Sequence, residues 1–159
     1  MTVPPDDQLM RDAEELHEAL NQLVRVYQFR DRDRICCYDV SVTQSYAVET
    51  LVRKGPMRMQ ALADELFLDK STASRVINAL ERKSYVIRLA ESGDRRAVKL
   101  QATDAGRTLC ENIRRDLIAE EKLMLDGLPP AIRQGAIAML KQITLATEKR
   151  YGIESDCCT

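Results

Sequence analysis

Apolar residues recur three and four positions apart through most of the chain, which is typical of amphipathic helices. The pattern predicts a first helix over about 5–30, a second near 42–53, a long helix from 103 to about 126 and a last one over about 130–150. Turn residues support these ends, because Lys54-Gly55-Pro56 closes the second helix and Pro129-Pro130 restarts the chain. The chain is therefore predicted to be mainly α.

A helix-turn-helix is predicted in the middle of the chain. Between residues 57 and 66, four apolar side chains fall on one helical face, namely Met59, Leu62, Ala63 and Leu66. The short link Phe67-Leu68-Asp69 follows. Asp69 is a suitable N-cap for the second helix, since its carboxylate can accept a backbone N–H of Ser71 or Thr72. That helix has its own apolar stripe, formed by Ala73, Val76, Ile77 and Leu80.

The first turn of this second helix is small, polar and basic. It carries Lys70, Ser71, Thr72, Ser74 and Arg75. Short hydroxyls and a guanidinium on an exposed helix start fit the DNA major groove, where base edges display distinguishable donors and acceptors. We therefore expect these five residues to contact double-stranded DNA.

Two short strands are predicted after this helix, joined by a turn that contains Gly93, Asp94, Arg95 and Arg96. A basic ribbon tip beside a recognition helix can reach the neighbouring minor groove and phosphates. Residues 70–99 contain eight Lys or Arg and three acidic residues, although the formal net charge of the 159-residue chain is only −1. The basic excess is therefore local, as expected of a protein that offers DNA one face.

The segments LADELFLDKSTASRVINALERK and GDRRAVKLQATDAG resemble the MarR family of winged helix-turn-helix transcription regulators. The resemblance runs from about Leu51 to Gly106 and includes Asp94-x-Arg96 and Thr103-x-x-Gly106, which are similar to the family's wing signature. It implies that Asp94 braces the wing and that Arg95 or Arg96 probes the minor groove. Ser84 stands where a glycine commonly ends the recognition helix, and Ala102 where a leucine is usual.

The resemblance implies a single domain over 1–159, with a winged helix lobe at about 42–102 and dimerisation helices at about 5–30 and 103–150. The residue pattern agrees, since the outer helices have apolar faces that a small winged core cannot cover alone. We expect a homodimer whose two recognition helices read half-sites of a pseudo-palindromic operator, roughly 34 Å apart. Relatives are mostly dimeric repressors released by a small molecule or an oxidant, so a small effector is also expected.

Five cysteines are the candidates for sensing such an effector. Cys36 and Cys37 lie between the first two predicted helices, Cys157 and Cys158 near the C-terminus, and Cys110 on the long helix. Adjacent thiols lack the spacing of a zinc knuckle, but thiolates select soft ions such as copper or mercury, and arsenite is expected to behave alike.

Two other interpretations of the cysteines stay open. In an oxidant switch, Arg30, Arg32 and Arg34 are expected to lower the pKa of Cys36 and raise its thiolate fraction. In a structural interpretation, Cys36 or Cys37 is expected to pack as a small hydrophobe and the C-terminal pair to be disordered.

No catalytic centre is predicted, because the chain has one histidine, His17, and neither a glycine-rich phosphate loop nor a nucleophile with a convincing histidine partner. No apolar run approaches the roughly 20 residues that cross a bilayer, and MTVPPDDQLM lacks a signal-peptide core, so a cytoplasmic protein without membrane contact is expected. Two alternative functions remain: a thiol-based metal-binding or redox protein, and a winged helix that docks proteins without binding DNA.

Overall fold

The computed structural model describes residues 5–91 and 94–151, with residues 5, 6, 91 and 94–97 described by their backbone alone. These ranges form six helices and a three-stranded antiparallel sheet of order β1-β3-β2. The helices are α1 (Pro5–Cys36), α2 (Val42–Lys54), α3 (Met59–Glu65), α4 (Lys70–Arg82), α5 (Asp104–Asp126) and α6 (Pro130–Tyr151), and the strands are β1 (Met57–Arg58), β2 (Val86–Glu91) and β3 (Asp94–Ala102). The predicted mainly α fold with a small β-wing is confirmed.

Helix α1 is longer than predicted and ends at Cys36 rather than near residue 30. Charged residues after Tyr27 interrupt the apolar pattern in the sequence. Ile35, however, lies eight residues after Tyr27 on the same helical stripe and is only 1% exposed, so the apolar face of the helix continues. Cys36 therefore lies in the last helical turn, and the segment between the two helices shrinks to residues 37–41.

Helix α2 begins with a capping box and ends at a glycine. The Oγ of Ser41 accepts the N–H of Gln44 at 3.2 Å, and the Gln44 side chain accepts the N–H of Ser41 at 3.1 Å. Gly55 has a φ of 82°, a left-handed backbone that glycine adopts without strain. The chain therefore turns away after Lys54, close to the predicted end.

The first helix of the helix-turn-helix starts later than predicted. Met57 and Arg58 form the edge strand β1, with Met57 opposite Leu100 and Arg58 opposite Lys99 on β3. Pairing with a distant strand holds these two residues extended, so α3 starts only at Met59.

Strands β2 and β3 form the predicted hairpin of the wing. Their pairing runs from Val86 opposite Ala102 to Glu91 opposite Asp94, with a register shift before Glu91. Three residues predicted at the turn instead begin β3: Asp94, Arg95 and Arg96. The fourth, Gly93, lies outside the described residues.

One hydrophobic core joins the helix-turn-helix, the base of the wing and the start of α5. Its largest fully buried side chains are Ile35, Val48, Leu51, Leu62, Ile77, Leu80, Val86 and Leu100. Helix α4 buries Ala73, Ile77 and Leu80, as its stripe predicted, with Val76 half-buried beside them. Burying a side chain of the size of Ile or Leu contributes roughly 1.5–3 kcal/mol, so the core determines which face of α4 points inward.

Helix α4 ends in a Schellman motif built without glycine. The N–H of Ser84 donates to the carbonyl of Glu81 at 2.9 Å, and the N–H of Tyr85 donates to the carbonyl of Leu80 at 3.0 Å. This geometry places Ser84 at a φ of 61°, in left-handed backbone. Ser84, which stands where the family commonly has glycine, therefore occupies a backbone position that favours glycine.

Thr103 and Gly106 attach the start of α5 to the end of the helix-turn-helix. The hydroxyl of Thr103 donates to the carbonyl of Ser84 at 2.7 Å and accepts the N–H of Gly106 at 3.0 Å, while the N–H of Thr103 donates to the carbonyl of Tyr85 at 3.0 Å. A Cβ on Gly106 would overlap the carbonyl oxygen of Tyr85. Glycine is required here because two backbones approach closely.

The chain forms two compact units, Met1–Leu117 and Ile118–Thr159. The first contains α1 to α4, the sheet and the beginning of α5, and the second contains the rest of α5 and α6. Helix α6, described over its whole length, buries none of its residues. Among the described helices, none combines the length and apolar character that a bilayer crossing needs.

We expect Ser84→Gly to raise the free energy of unfolding by about 1 kcal/mol. Left-handed backbone costs residues with a Cβ roughly 1–2 kcal/mol, and the greater conformational freedom of glycine in the unfolded chain offsets part of that gain. Urea denaturation at fixed protein concentration measures this. Ser84→Ala is the matched control and should give no gain. An equal gain from both variants would contradict the backbone explanation.

Gly106→Ala should lower the free energy of unfolding by about 2 kcal/mol, because the added methyl group meets backbone that cannot rotate away. Thermal denaturation followed by circular dichroism measures the loss. Thr108→Ala changes an exposed position of the same helix and should be neutral or stabilising by less than about 0.7 kcal/mol. If Gly106→Ala is as stable as the wild type, the contact between residue 106 and the carbonyl of Tyr85 is not tight.

Candidate nucleic-acid interface

Asp69 organises the first turn of α4. Its carboxylate accepts the backbone N–H of Thr72 at 2.9 Å, which confirms the predicted N-cap. The hydroxyls of Ser71 and Thr72 donate to the same carboxylate, at 2.5 and 2.6 Å. These hydrogen bonds, led by that of Ser71, hold the pKa of Asp69 well below its usual range. The carboxylate therefore stays ionised and accepts all three bonds at neutral pH.

Arg75 is held in place by the same network. Its guanidinium donates to the hydroxyl oxygen of Thr72 at 3.1 Å, while that hydroxyl donates to Asp69. Thr72 is thus a link between the capping carboxylate and an exposed arginine one turn further along the helix. The sequence predicted each of these residues, but it did not predict that the cap also positions Arg75.

The five residues predicted on the recognition helix all lie on α4, but they differ in exposure. Lys70, Ser71 and Arg75 are exposed, whereas Thr72 and Ser74 are half-buried. The hydroxyl protons of Ser71 and Thr72 are already donated to Asp69, so toward a DNA base these hydroxyls can act as acceptors only. Arg75 is the one member of the group with a guanidinium, which can donate two parallel hydrogen bonds.

Arg88 connects the recognition helix to the wing, a contact that the sequence did not reveal. Its Nε lies 3.0 and 2.9 Å from the two carboxylate oxygens of Glu81, and its terminal nitrogen donates to Asn78 at 2.8 Å. Glu81 and Asn78 belong to α4 and Arg88 to β2. The guanidinium therefore links the hairpin directly to the helix.

Lys83 is also engaged within the protein. Its ammonium group lies 3.2 Å from the carboxylate of Asp39 and donates to the backbone carbonyl of the same residue. The end of α4 is thereby tied to the segment between α1 and α2.

The side chains of Asp94, Arg95 and Arg96 lie outside the described part of the chain, and so do Cys157 and Cys158. The backbone of β3 nevertheless starts at Asp94, which places all three wing residues at the distal end of the hairpin. Their predicted roles as wing brace and minor-groove contact stay predictions.

Cys36 and Cys37 are exposed free thiols at the end of α1. Both donate to the backbone carbonyl of Asp33, at 3.1 Å and 3.4 Å. Cys110 is half-buried on α5, and burial raises the pKa of its thiol to about 11. Within residues 5–91 and 94–151, no group of three or more metal-ligating side chains comes together.

The prediction that nearby arginines lower the pKa of Cys36 is wrong. Desolvation comes first, then the neighbouring Cys37 thiol and the Asp33 carboxylate, and together they raise the pKa of Cys36. The arginines are engaged elsewhere: Arg30 pairs with Asp31 at 2.7 Å, and Arg32 lies over the ring of Phe29 at 4.9 Å. Arg32 does act to lower the pKa of Cys36, but its effect is smaller than those of desolvation, Cys37 and Asp33.

Comparison with known proteins agrees with this geometry. A family model described as MarR family matches residues 38–97. Solved structures with the same fold include a MarR family protein from Bacillus stearothermophilus, with a TM-score of 0.80 and 18% identity over 87% of this chain and 96% of that chain. Another is a MarR transcriptional regulator from Methanosarcina mazei, with a TM-score of 0.71 and 23% identity over 86% of this chain and 98% of that one.

Sequence relatives are regulators of transcription. The chain is 26% identical over 72 residues to the HTH-type transcriptional regulator SarZ of Staphylococcus aureus, which covers 45% of this chain and 49% of SarZ. It is 30% identical over 108 residues to the HTH-type transcriptional regulator MhqR of Bacillus subtilis, which covers 68% of this chain and 74% of MhqR. Together with the winged helix described above, this identity and coverage establish that the chain belongs to the MarR family of transcriptional regulators.

Proposed function

We propose that this regulator represses transcription by binding a pseudo-palindromic operator as a homodimer, with α4 in the major groove. The observation that carries the proposal is the exposed Arg75, oriented by Thr72 and Asp69 on the face of α4 opposite the buried Ile77 and Leu80. A preoriented guanidinium suits a bidentate contact to guanine. Ser71, Ser74 and Lys70 surround it as further base or phosphate contacts.

The wing supplies the second contact in this proposal. Arg95 or Arg96 reaches the minor groove and Asp94 braces the hairpin, as the family resemblance implies. The brace from Arg88 to Glu81 and Asn78 supports this role, since it sets the hairpin beside the recognition helix. The local excess of basic residues between 70 and 99 supplies the attraction to phosphates.

The apolar faces of the terminal helices support a homodimer. Leu9, Leu16 and Val24 share one face of α1 and are 67%, 43% and 50% exposed, and Ile132 and Met139 share one face of α6 and are 56% and 61% exposed. A chain with this much apolar surface on two helices favours association with a second copy. We assign α1, α5 and α6 to that interface.

A small effector releases the proposed dimer from DNA in the cytoplasm. Cys36 and Cys37, with Cys157 and Cys158, are its proposed receptors, and the effector is either an oxidant or a soft ion such as arsenite, copper or mercury. Exposure of the first pair supports access from solvent. Binding to the DNA upstream of its own gene, measured by fluorescence anisotropy at several salt concentrations, tests the function. No binding at low salt would favour the protein-docking or thiol-carrier alternatives.

Arg75→Ala should lower operator affinity and relax the preference for one base pair by about 1–3 kcal/mol, because it removes a contact to a base edge. Arg95→Ala should weaken operator and random DNA alike and reduce the salt slope by less than about one unit. Titrations against operator variants and random DNA measure both effects. Equal losses on operator and random DNA for Arg75→Ala would argue against base reading by that residue.

Thr72→Val should weaken operator binding mainly by misplacing Arg75. In a double-mutant cycle, Thr72→Val is therefore expected to have little further effect once Arg75 is alanine, which corresponds to a coupling of about 0.5–3 kcal/mol. Thermal denaturation of each variant corrects for loss of the capping hydroxyl. Additive losses would mean that Thr72 contacts DNA independently of Arg75.

A further inference from the structure

The segment that follows the two adjacent cysteines is short and pinned at both ends. Ile35, just before Cys36, is 1% exposed, and Val40, three residues after Cys37, is 4% exposed. Between them the N–H of Tyr38 donates to Ile35 and the N–H of Asp39 donates to Cys36, both at 3.0 Å. A change in the backbone at Cys36 and Cys37 therefore has to be absorbed by Tyr38 and Asp39.

Tyr38 and Asp39 attach the segment between α1 and α2 to other elements of the same compact unit. The hydroxyl of Tyr38 donates to the carboxylate of Asp116 on α5 at 2.5 Å. The carboxylate and carbonyl of Asp39 both contact Lys83 at the end of the recognition helix. Asp39 also has a φ of 57°, so the turn holds a backbone conformation that most residues avoid.

The two thiols are close neighbours on the surface. They share the carbonyl of Asp33 as acceptor, which holds both sulfurs close to one oxygen atom. Two sulfurs that are accessible and adjacent can act as one bidentate ligand.

A disulfide is a poor product for this pair. Consecutive Cα atoms are about 3.8 Å apart across a trans peptide, whereas disulfides usually join Cα atoms at least about 4.4 Å apart. The pair is thus better suited to a ligand that inserts an atom between the two sulfurs.

We propose that Cys36 and Cys37 form a chelating site for trivalent arsenic, and that its occupation loosens the contacts of Tyr38 and Asp39 with α5 and the recognition helix. Each thiol S–H and one As–OH group condense to an As–S bond and one water, so two waters leave and no oxidation occurs. Arsenic keeps its third ligand. Pyramidal As(III) accepts two sulfurs on one side, whereas Cu(I) and Hg(II) favour two sulfurs in a line, which adjacent residues supply poorly.

Binding is tested first, without DNA. The protein carrying Cys157→Ser and Cys158→Ser is treated with phenylarsine oxide, and intact-mass spectrometry is combined with a thiol titration. We expect one phenylarsenic adduct and loss of two titratable thiols. The adduct should persist with Cys110→Ser and disappear with Cys36→Ser plus Cys37→Ser. The proposal is overturned if the adduct still forms with Cys36→Ser plus Cys37→Ser, or if the protein carrying only Cys157→Ser and Cys158→Ser forms no adduct.

The effect on DNA rests on the proposed function and is measured separately by anisotropy on the operator. Phenylarsine oxide should weaken binding about 5- to 150-fold in the parent and leave the Cys36→Ser plus Cys37→Ser variant unchanged. Tyr38→Phe should form the same adduct but show a smaller change, since one of the two contacts is already absent. An adduct that leaves DNA affinity unaltered overturns the coupling. A protein that forms the adduct but never binds DNA refutes the proposed function and not the arsenic site.

Discussion

The burial of Ile77 and Leu80 in the core is the constraint on which the rest of the candidate interface depends. Because these side chains are sealed between α2, α3 and the base of the sheet, α4 cannot rotate about its axis without exposing them. The opposite face, with Arg75 and Asn78, is therefore presented to solvent. Every later feature, from the capping network to the brace on the wing, builds on that fixed rotation.

Polar contacts then hold the two ends of α4, whose rotation the core packing determines. Asp69 serves two purposes at once, because it caps α4 and orients Arg75 through Thr72. At the other end of the helix, the left-handed Ser84 reverses the chain and its carbonyl receives the hydroxyl of Thr103. The side chains of Asp69 and Thr103 thus hold the two ends of α4, while the apolar contacts determine which face of the helix points inward.

The parts that could be predicted from the sequence depend on local spacing. The stripe of Ala73, Ile77 and Leu80 and the cap at Asp69 follow from residues within one or two helical turns, and both are confirmed. Strand β1 could not be predicted, since two residues such as Met57 and Arg58 have no strand pattern and are held extended by β3, more than forty residues away.

The same limit of local spacing explains two predictions that the structure contradicts. The end of α1 was placed too early because charged residues after Tyr27 concealed the stripe that Ile35 continues. The direction of the pKa shift at Cys36 could not be predicted from the nearby arginines, because desolvation, Cys37 and Asp33 outweigh the effect of Arg32. The cap's influence on Arg75 and the brace from Arg88 likewise needed the side-chain geometry.

The guanidinium of Arg88 links α4 to the hairpin through Glu81 and Asn78, so the two proposed DNA contacts are coupled. In the proposed complex, a helix and hairpin linked in this way would adjust less freely, each on its own, to the depth and width of the two grooves. The duplex must then supply the adjustment by bending or by narrowing its minor groove, at an elastic cost that depends on the base steps between the contacts. Base pairs that the protein never touches would in this way influence which operators it selects.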